Sequence, residues 1–142
     1  NSHKLTCYGC YFKPKNFDPS IQYPCVLYTY GGPHVQLVKN DYELTLRYLN
    51  LQLWSQLGYL VVIVDGVGSW RRGLHFEGFL RNQMGQVEVQ EQIDGLHFLI
   101  KQGFVDTNRI AVTGWSYGGY MFVSSSHALL TRQEFNVFGS AA

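Results

Sequence analysis

The stretch Arg109-Ile110-Ala111-Val112-Thr113-Gly114-Trp115-Ser116-Tyr117-Gly118-Gly119-Tyr120 reads as a short apolar strand, a tight turn at Ser116 and the start of a helix. Gly114, Ser116 and Gly118 make the G-x-S-x-G pattern, in which a strained turn lifts a serine oxygen clear of a parallel sheet. Lacking Cβ atoms, the two glycines let strand and helix close around a serine held in an unfavourable backbone conformation. The spacing sets the Tyr117 N–H at the new helix's N-terminus, over Ser116, where that donor and the helix dipole stabilise an oxyanion. The pattern alone is weak, since a structural glycine turn matches it too. The β-branched run before it and the small, apolar residues after it supply the strand–turn–helix setting that gives it weight.

Working outward, Tyr59-Leu60-Val61-Val62-Ile63-Val64 is a continuous apolar run, the mark of a parallel strand covered on both faces. Before it, Leu46, Leu49, Leu53 and Leu57 predict one apolar face of a helix over 41–57, with Glu43 and Arg47 as an exposed pair and Gly58 as the stop. Tyr23 to Tyr30 reads as a strand that halts at Gly31-Gly32-Pro33, completing a strand–helix–strand unit. Ligands bind at the carboxyl ends of such strands, so Tyr30 to His34 is a candidate site on topology. Thr6 to Lys13 predicts a further strand, expected to pair hairpin-fashion with Tyr23–Tyr30 across the turn-rich 14–19. Residues 65–79 read as a glycine-rich loop whose Arg71 and Arg72 are solvated.

Met84 to Gly103 predicts a helix with Val89, Ile93, Leu96 and Ile100 on one face. Glu88 and Glu91 near its start and Lys101 near its end suit the dipole, and Glu91 with Asp94 reads as a wet face rather than a catalytic carboxylate pair. Ser124-Ser125-Ser126 lowers the helix propensity of the segment after the elbow, and Phe135 to Ala142 begins a following strand. The expected fold class is α/β: one domain over 1–142, the first half of an α/β-hydrolase fold with a parallel central sheet and flanking helices.

Within 142 residues, 46% are hydrophobic and 15% charged, with a net charge of +1 and no basic run, which excludes the electrostatic footprint of nucleic-acid or anionic-membrane binding. The longest apolar run is far too short to span a bilayer. Without an initiator Met, and stopping within a small-residue run, the chain is expected to be a piece of a longer protein. Three cysteines argue against a disulfide scaffold and for a reducing compartment. Cys7 and Cys10, three apart on a strand, fall on opposite faces and read as structural thiols rather than a redox or zinc pair.

Tyr30-Gly31-Gly32-Pro33 together with Gly114-Trp115-Ser116-Tyr117-Gly118-Gly119-Tyr120 closely resembles the catalytic domain of the prolyl oligopeptidase family, in particular its dipeptidyl peptidase branch. Val64 to Ser69, Phe76-Glu77-Gly78, Met84-Gly85-Gln86 and Phe104-Val105-Asp106 extend the resemblance over nearly the whole chain. Pro33 to Val38 and Phe76 to Gln86 resemble the cytosolic members more than the membrane-bound ones, which implies a cytoplasmic location. The resemblance implies a serine peptidase that removes Xaa-Pro or Xaa-Ala dipeptides from free N-termini through a Ser-Asp-His triad, on a hydrolase fold capped by a β-propeller. By motif, Ser116 resembles the nucleophile, and the Tyr30 hydroxyl and Tyr117 backbone N–H resemble the oxyanion donors. The Tyr117 ring resembles one wall of the proline pocket. No metal and no organic cofactor is implied. The partners implied are peptides with Pro or Ala at the second position, and a homodimer of the full-length protein is compatible with the family.

One departure is Val67, where the family usually carries Arg. The other is that the triad Asp and His are expected well after Ser116, beyond the chain's last residue. Downstream of Ser116 stand only Glu134 and His127, and His127 lies about 16 Å along the helix, too far to be the base. This chain by itself is therefore expected to be inactive. Two alternatives stay open: another α/β-hydrolase, esterase-like or acylaminoacyl-peptidase-like, and an inactive interaction module. Tyr30-Gly-Gly-Pro favours the peptidase, because esterases of this fold commonly use a histidine-containing Gly-rich oxyanion loop.

Overall fold

The sheet is built around the apolar run read above. A computed structural model describes residues 5–41, 49–131 and 137–141. The strands are β1 (Tyr8–Phe12), β2 (Tyr23–Tyr28), β3 (Leu60–Asp65), β4 (Val105–Gly114) and β5 (Val137–Ala141), and the helices α1 (Leu49–Gln56), α2 (Leu74–Glu77), α3 (Val87–Ile100) and α4 (Tyr117–Thr131). A 3-10 turn, Gly78–Leu80, follows α2. The five strands form one sheet in the order β1-β3-β2-β4-β5. All neighbours are parallel except β1, which runs antiparallel to β3, so the sheet has the expected parallel centre with one antiparallel edge strand among the described residues.

Every residue of β3 is buried. Its side chains alternate between two cores, as the period of a strand requires. Leu60, Val62 and Val64 pack with Val89, Ile93 and Leu96 of α3 and Met121 and Leu129 of α4. Val61 and Ile63 pack on the other face with Val26, Leu37 and Leu51 of α1. At about 1.5–3 kcal/mol for each large side chain removed from water, these two layers are the main stabilising term.

Several expectations need correction. The first two strands do not form a hairpin: β1 pairs with β3, from Tyr8 opposite Asp65 to Phe12 opposite Val61, and β2 lies on the far side of β3. A fully apolar strand needs a partner on each edge, and the Lys13–Gln22 connection is a folded unit rather than a tight turn. Asp18 accepts the Ser20 N–H at 2.9 Å, and the Phe17 ring stacks on Tyr23 with centroids 5.3 Å apart.

The leucine stripe of α1 faces outward, with Leu49, Leu53 and Leu57 exposed by 64, 54 and 66%. Leu51, Trp54 and Ser55, three and four residues apart, make the inward stripe instead. The pattern had two faces that an apolar count alone could not rank. Leu46, Glu43 and Arg47 lie outside the described residues. The helix expected over 84–103 is shorter, Val87–Ile100, because residues 81–86 form turns. Nor is the 65–79 loop merely solvated, since it holds α2. Arg72 lies over the rings of Phe76 at 4.3 Å and Tyr8 at 4.8 Å and donates to the Thr6 carbonyl. Arg71 is exposed, at 5.1 Å over Trp70.

None of the three cysteines is in a disulfide, and burial pushes the Cys25 thiol up to about 12 and, with help from Asp65, Cys10 up to about 11. Cys10 and Cys25 are thiols at neutral pH. Asp65, at the end of β3, accepts the Leu37 N–H at 2.9 Å and the Val38 N–H at 2.7 Å, pinning the loop that follows β2 to the rim of the sheet.

Two outcomes test this packing. A Cβ on Gly118 would drive into the Thr29 carbonyl, backbone against backbone, whereas one on Gly78 would meet nothing within 4 Å. Gly118→Ala should therefore cost about 1–3 kcal/mol in chemical denaturation, and Gly78→Ala about 0.5 kcal/mol or less; equal costs would refute the close approach. Burial raises the Asp65 carboxyl above its ordinary 3.8, and the bonds from Val38 and Leu37 offset only part of that. The native state thus holds the proton more tightly than the unfolded chain. Its stabilising contribution is full below the ordinary value and is lost as pH rises through the raised native one. Melting temperatures of Asp65→Asn, which cannot ionise, should gain on the parent as pH rises from about 4 to about 7. A difference that stays flat would show that ionising Asp65 costs nothing.

Candidate active site

The site is assembled where β2 and β4 end together. β4 runs to Gly114, α4 starts at Tyr117, and Ser116 sits between them at φ 58, the left-handed conformation that a serine adopts only under constraint. Its side chain is exposed at the carboxyl rim of the sheet. The turn is closed by helical bonds from the Gly118 N–H to the Trp115 carbonyl and from the Gly119 N–H to the Ser116 carbonyl, at 2.8 and 2.9 Å. Ser116 thus stands at the N-terminal end of α4, where the helix dipole is positive.

Tyr30 is brought there by glycines. A Cβ on Gly114 would stand 2.5 Å from the Thr29 carbonyl oxygen, and one on Gly118 would be 3.3 Å from the Tyr30 Cα. The end of β2 therefore lies directly against the elbow. Beyond it, Gly31 adopts φ 65 beneath Met121, and the Tyr117 ring lies on Gly32, with Cγ 2.7 Å from where a Cβ would be. The Tyr30 and Tyr117 ring centroids are 6.1 Å apart. Tyr30 is half-buried, its ring leaning on the core cluster beneath α1. His34, at φ 62, is exposed, with Nδ1 3.9 Å from Glu77 Oε2. Ser116, Tyr30 and Tyr117 are thus gathered on one rim, while exposed His127 sits far along α4.

Sequence reasoning missed the carboxylates behind this rim. Glu88, read as suiting the helix dipole, and Glu91, read as part of a wet face, are both buried. The reason is that loop backbone supplies their partners. Glu88 Oε1 accepts the Gly85 N–H and the Tyr117 hydroxyl, each at 2.6 Å. Glu91 Oε2 accepts the Val67 N–H and the Cys7 thiol, the latter at 3.4 Å. Burial, and then the bond to Glu88, raise the Tyr117 hydroxyl well above its ordinary value, so it stays a donor. Only Asp94 is partly exposed as expected, accepting the Gln90 amide at 2.7 Å. Val67 is buried against the interior. Strict polar spacing could not reveal Glu88, because its partners come from a loop and from a helix far along the chain.

Among the described residues no group of three or more His, Cys, Asp and Glu side chains is arranged to hold a metal, and no helix is long and apolar enough to cross a membrane.

The family model described as prolyl oligopeptidase family matches residues 45–140. Dipeptidyl peptidase 8 of Mus musculus is 45% identical over 131 residues, covering 92% of this chain and 14% of its own length. A protein of Ajellomyces capsulatus described as dipeptidyl-aminopeptidase B is 38% identical over 109 residues, covering 77% of this chain and 12% of its own. In three dimensions, the crystal structure of a Bacteroides ovatus protein described as a dipeptidyl aminopeptidase IV superposes with a TM-score of 0.84 at 34% identity, over 94% of this chain and 18% of that one. The chain thus spans only a small part of the relatives it matches. With a family match over most of its length and the elbow, the glycine-packed Tyr30 and the sheet order all on the page, the chain belongs to the prolyl oligopeptidase family and has that family's α/β-hydrolase fold.

Proposed function

We propose that these residues are the N-terminal part of the catalytic domain of a serine dipeptidyl peptidase, which releases Xaa-Pro and Xaa-Ala dipeptides from peptide N-termini through an acyl-enzyme on Ser116. The observation that carries the reading is the exposed Ser116 at φ 58, at the start of α4 and beside the Tyr30–Tyr117 pair. Peptidase relatives along most of the chain support it.

In this reading Ser116 Oγ attacks the scissile carbonyl while its proton passes to a histidine supplied from outside the described residues. The carbonyl oxygen becomes an oxyanion that accepts hydrogen bonds from the Tyr117 N–H and the Tyr30 hydroxyl. Collapse expels the shortened peptide as an amine, which takes that proton. Water then hydrolyses the ester to free the dipeptide. The Tyr117 ring walls the pocket for the penultimate proline or alanine. The likeness of Pro33–Val38 and Phe76–Gln86 to cytosolic members supports a cytoplasmic enzyme, and a homodimer of the full-length protein is part of the proposal. Without the histidine and aspartate the 142 residues alone have no peptidase activity on this reading.

A serine-hydrolase phosphonate should label Ser116 in the full-length protein, because a nucleophile on an elbow with an adjacent base is activated. Mass spectrometry that puts the label elsewhere, or finds none on folded protein, sinks the proposal. Tyr30→Phe removes a single oxygen. It should lower kcat by about 10²–10³ with little change in KM, since the donor is aimed at charge that appears only in the transition state. A well-folded variant with kcat within about threefold of the parent would remove Tyr30 from the oxyanion site.

A further inference from the structure

Glu88 is a fully buried carboxylate with an unequal set of partners. Oε1 takes both donors, the Gly85 N–H and the Tyr117 hydroxyl, whereas Oε2 is buried with no hydrogen-bond partner among the described residues. An apolar side chain would fill such a place at lower cost, because burying a carboxylate with half its acceptor capacity unmet is expensive. The cost needs a reason, and Tyr117 provides one.

The Tyr117 residue has two separate tasks in the function proposed above: its ring walls the specificity pocket and its backbone N–H faces the oxyanion. Gly32 beneath the ring and Tyr120 beside it, with centroids 5.3 Å apart, restrict the plane of the ring but not its tip. Glu88 holds the tip. Gly85, at φ 84, turns its N–H onto the same oxygen, and the Tyr120 hydroxyl covers Gly85, so the first turns of α3 and α4 are locked to each other through this one carboxylate. We propose that Glu88 is a positioning residue that sets discrimination for proline over alanine by fixing the Tyr117 ring through its hydroxyl. A pyrrolidine ring fills the pocket and needs a wall that does not tilt; an alanine methyl tolerates slack.

This inference rests on the dipeptidyl peptidase reading, and its test separates the two. kcat and KM are measured on full-length protein with a Gly-Pro and a Gly-Ala amide for the parent, Glu88→Ala, Tyr117→Phe, the double variant and Glu88→Gln. The ratio of kcat/KM for proline over alanine should fall about tenfold in each single variant. The double variant should fall no further, because both changes remove one interaction. Glu88→Gln keeps a carbonyl acceptor and should restore most of the ratio. A merely structural carboxylate would lower the melting temperature while leaving the ratio alone, since both substrates meet the same enzyme. Folded variants whose ratio stays within about threefold of the parent, or single losses that multiply in the double variant, overturn the proposal. Should Glu88→Ala not fold, Tyr117→Phe carries the same comparison. A parent that cleaves neither amide and takes no phosphonate at Ser116 overturns the peptidase reading, and this inference with it.

Discussion

The contact of Gly114 and Gly118 with the carbonyl of Thr29 is the constraint on which the site depends. It is backbone against backbone, so no side-chain rearrangement can relieve or imitate it. On its other side Thr29 donates its N–H to the Thr113 carbonyl at 2.9 Å, continuing the β2–β4 pairing to the lip of the sheet. One residue is thereby held both by the neighbouring strand and by the turn that follows it. Its successor, Tyr30, has no freedom to leave the neighbourhood of Tyr117. The elbow and the loop after β2 are therefore held together, although the described chain between them makes three helices and two strands.

Around that contact the rim loops are held by buried carboxylates. Asp65 satisfies Leu37 and Val38, Glu91 satisfies Val67, and Glu88 satisfies Gly85. Loops that cover a core carry N–H groups that no ladder can pair, and each such group is costly if left dry. An acidic side chain reaching out from a strand end or a helix resolves that problem by supplying the missing acceptor. The Gln92 amide extends the pattern by donating to the Val64 carbonyl at 2.9 Å. The same groups that cost burial energy thus keep the rim shaped before any ligand arrives, which is what a site aimed at a transition state needs.

The sequence showed most clearly what depends on local steric rules. Ser116 between two glycines, the unbroken apolar run of β3 and the stop at Gly31-Gly32 all have short-range causes, and each element was legible from its own residues. What was not legible depends on distant partners. The pairing of β1 with β3 is set by which edge of an apolar strand stays open, not by the turn that follows β1. The burial of Glu88 and Glu91 follows from donors on loops brought near by the fold. The outward leucines of α1 mislead because Leu51 and Trp54 bear on the sheet, and nothing within the helix ranks the two stripes. The candidate residues Ser116, Tyr30 and Tyr117 were read from motifs, and the geometry gathers them; Glu88 behind them had no motif.

The strand order also bears on how the chain reaches this state. Among the described residues Tyr8 pairs with Asp65 and Phe12 with Val61, so β1 stays without this ladder until the strand that closes over it has been made. In the meantime Tyr8, Tyr11 and Phe12 form an aromatic strand with two bare edges, the kind of segment that pairs with other chains when left waiting. β2 likewise waits for β3 on one side and for β4, much later, on the other. Assembly is thus dominated by distant closures, which slows it. On the ribosome, an emerging chain of this topology exposes β1 well before β3 exists to pair with it, so its burden on the machinery that shields nascent chains is set by sheet order rather than by its final stability.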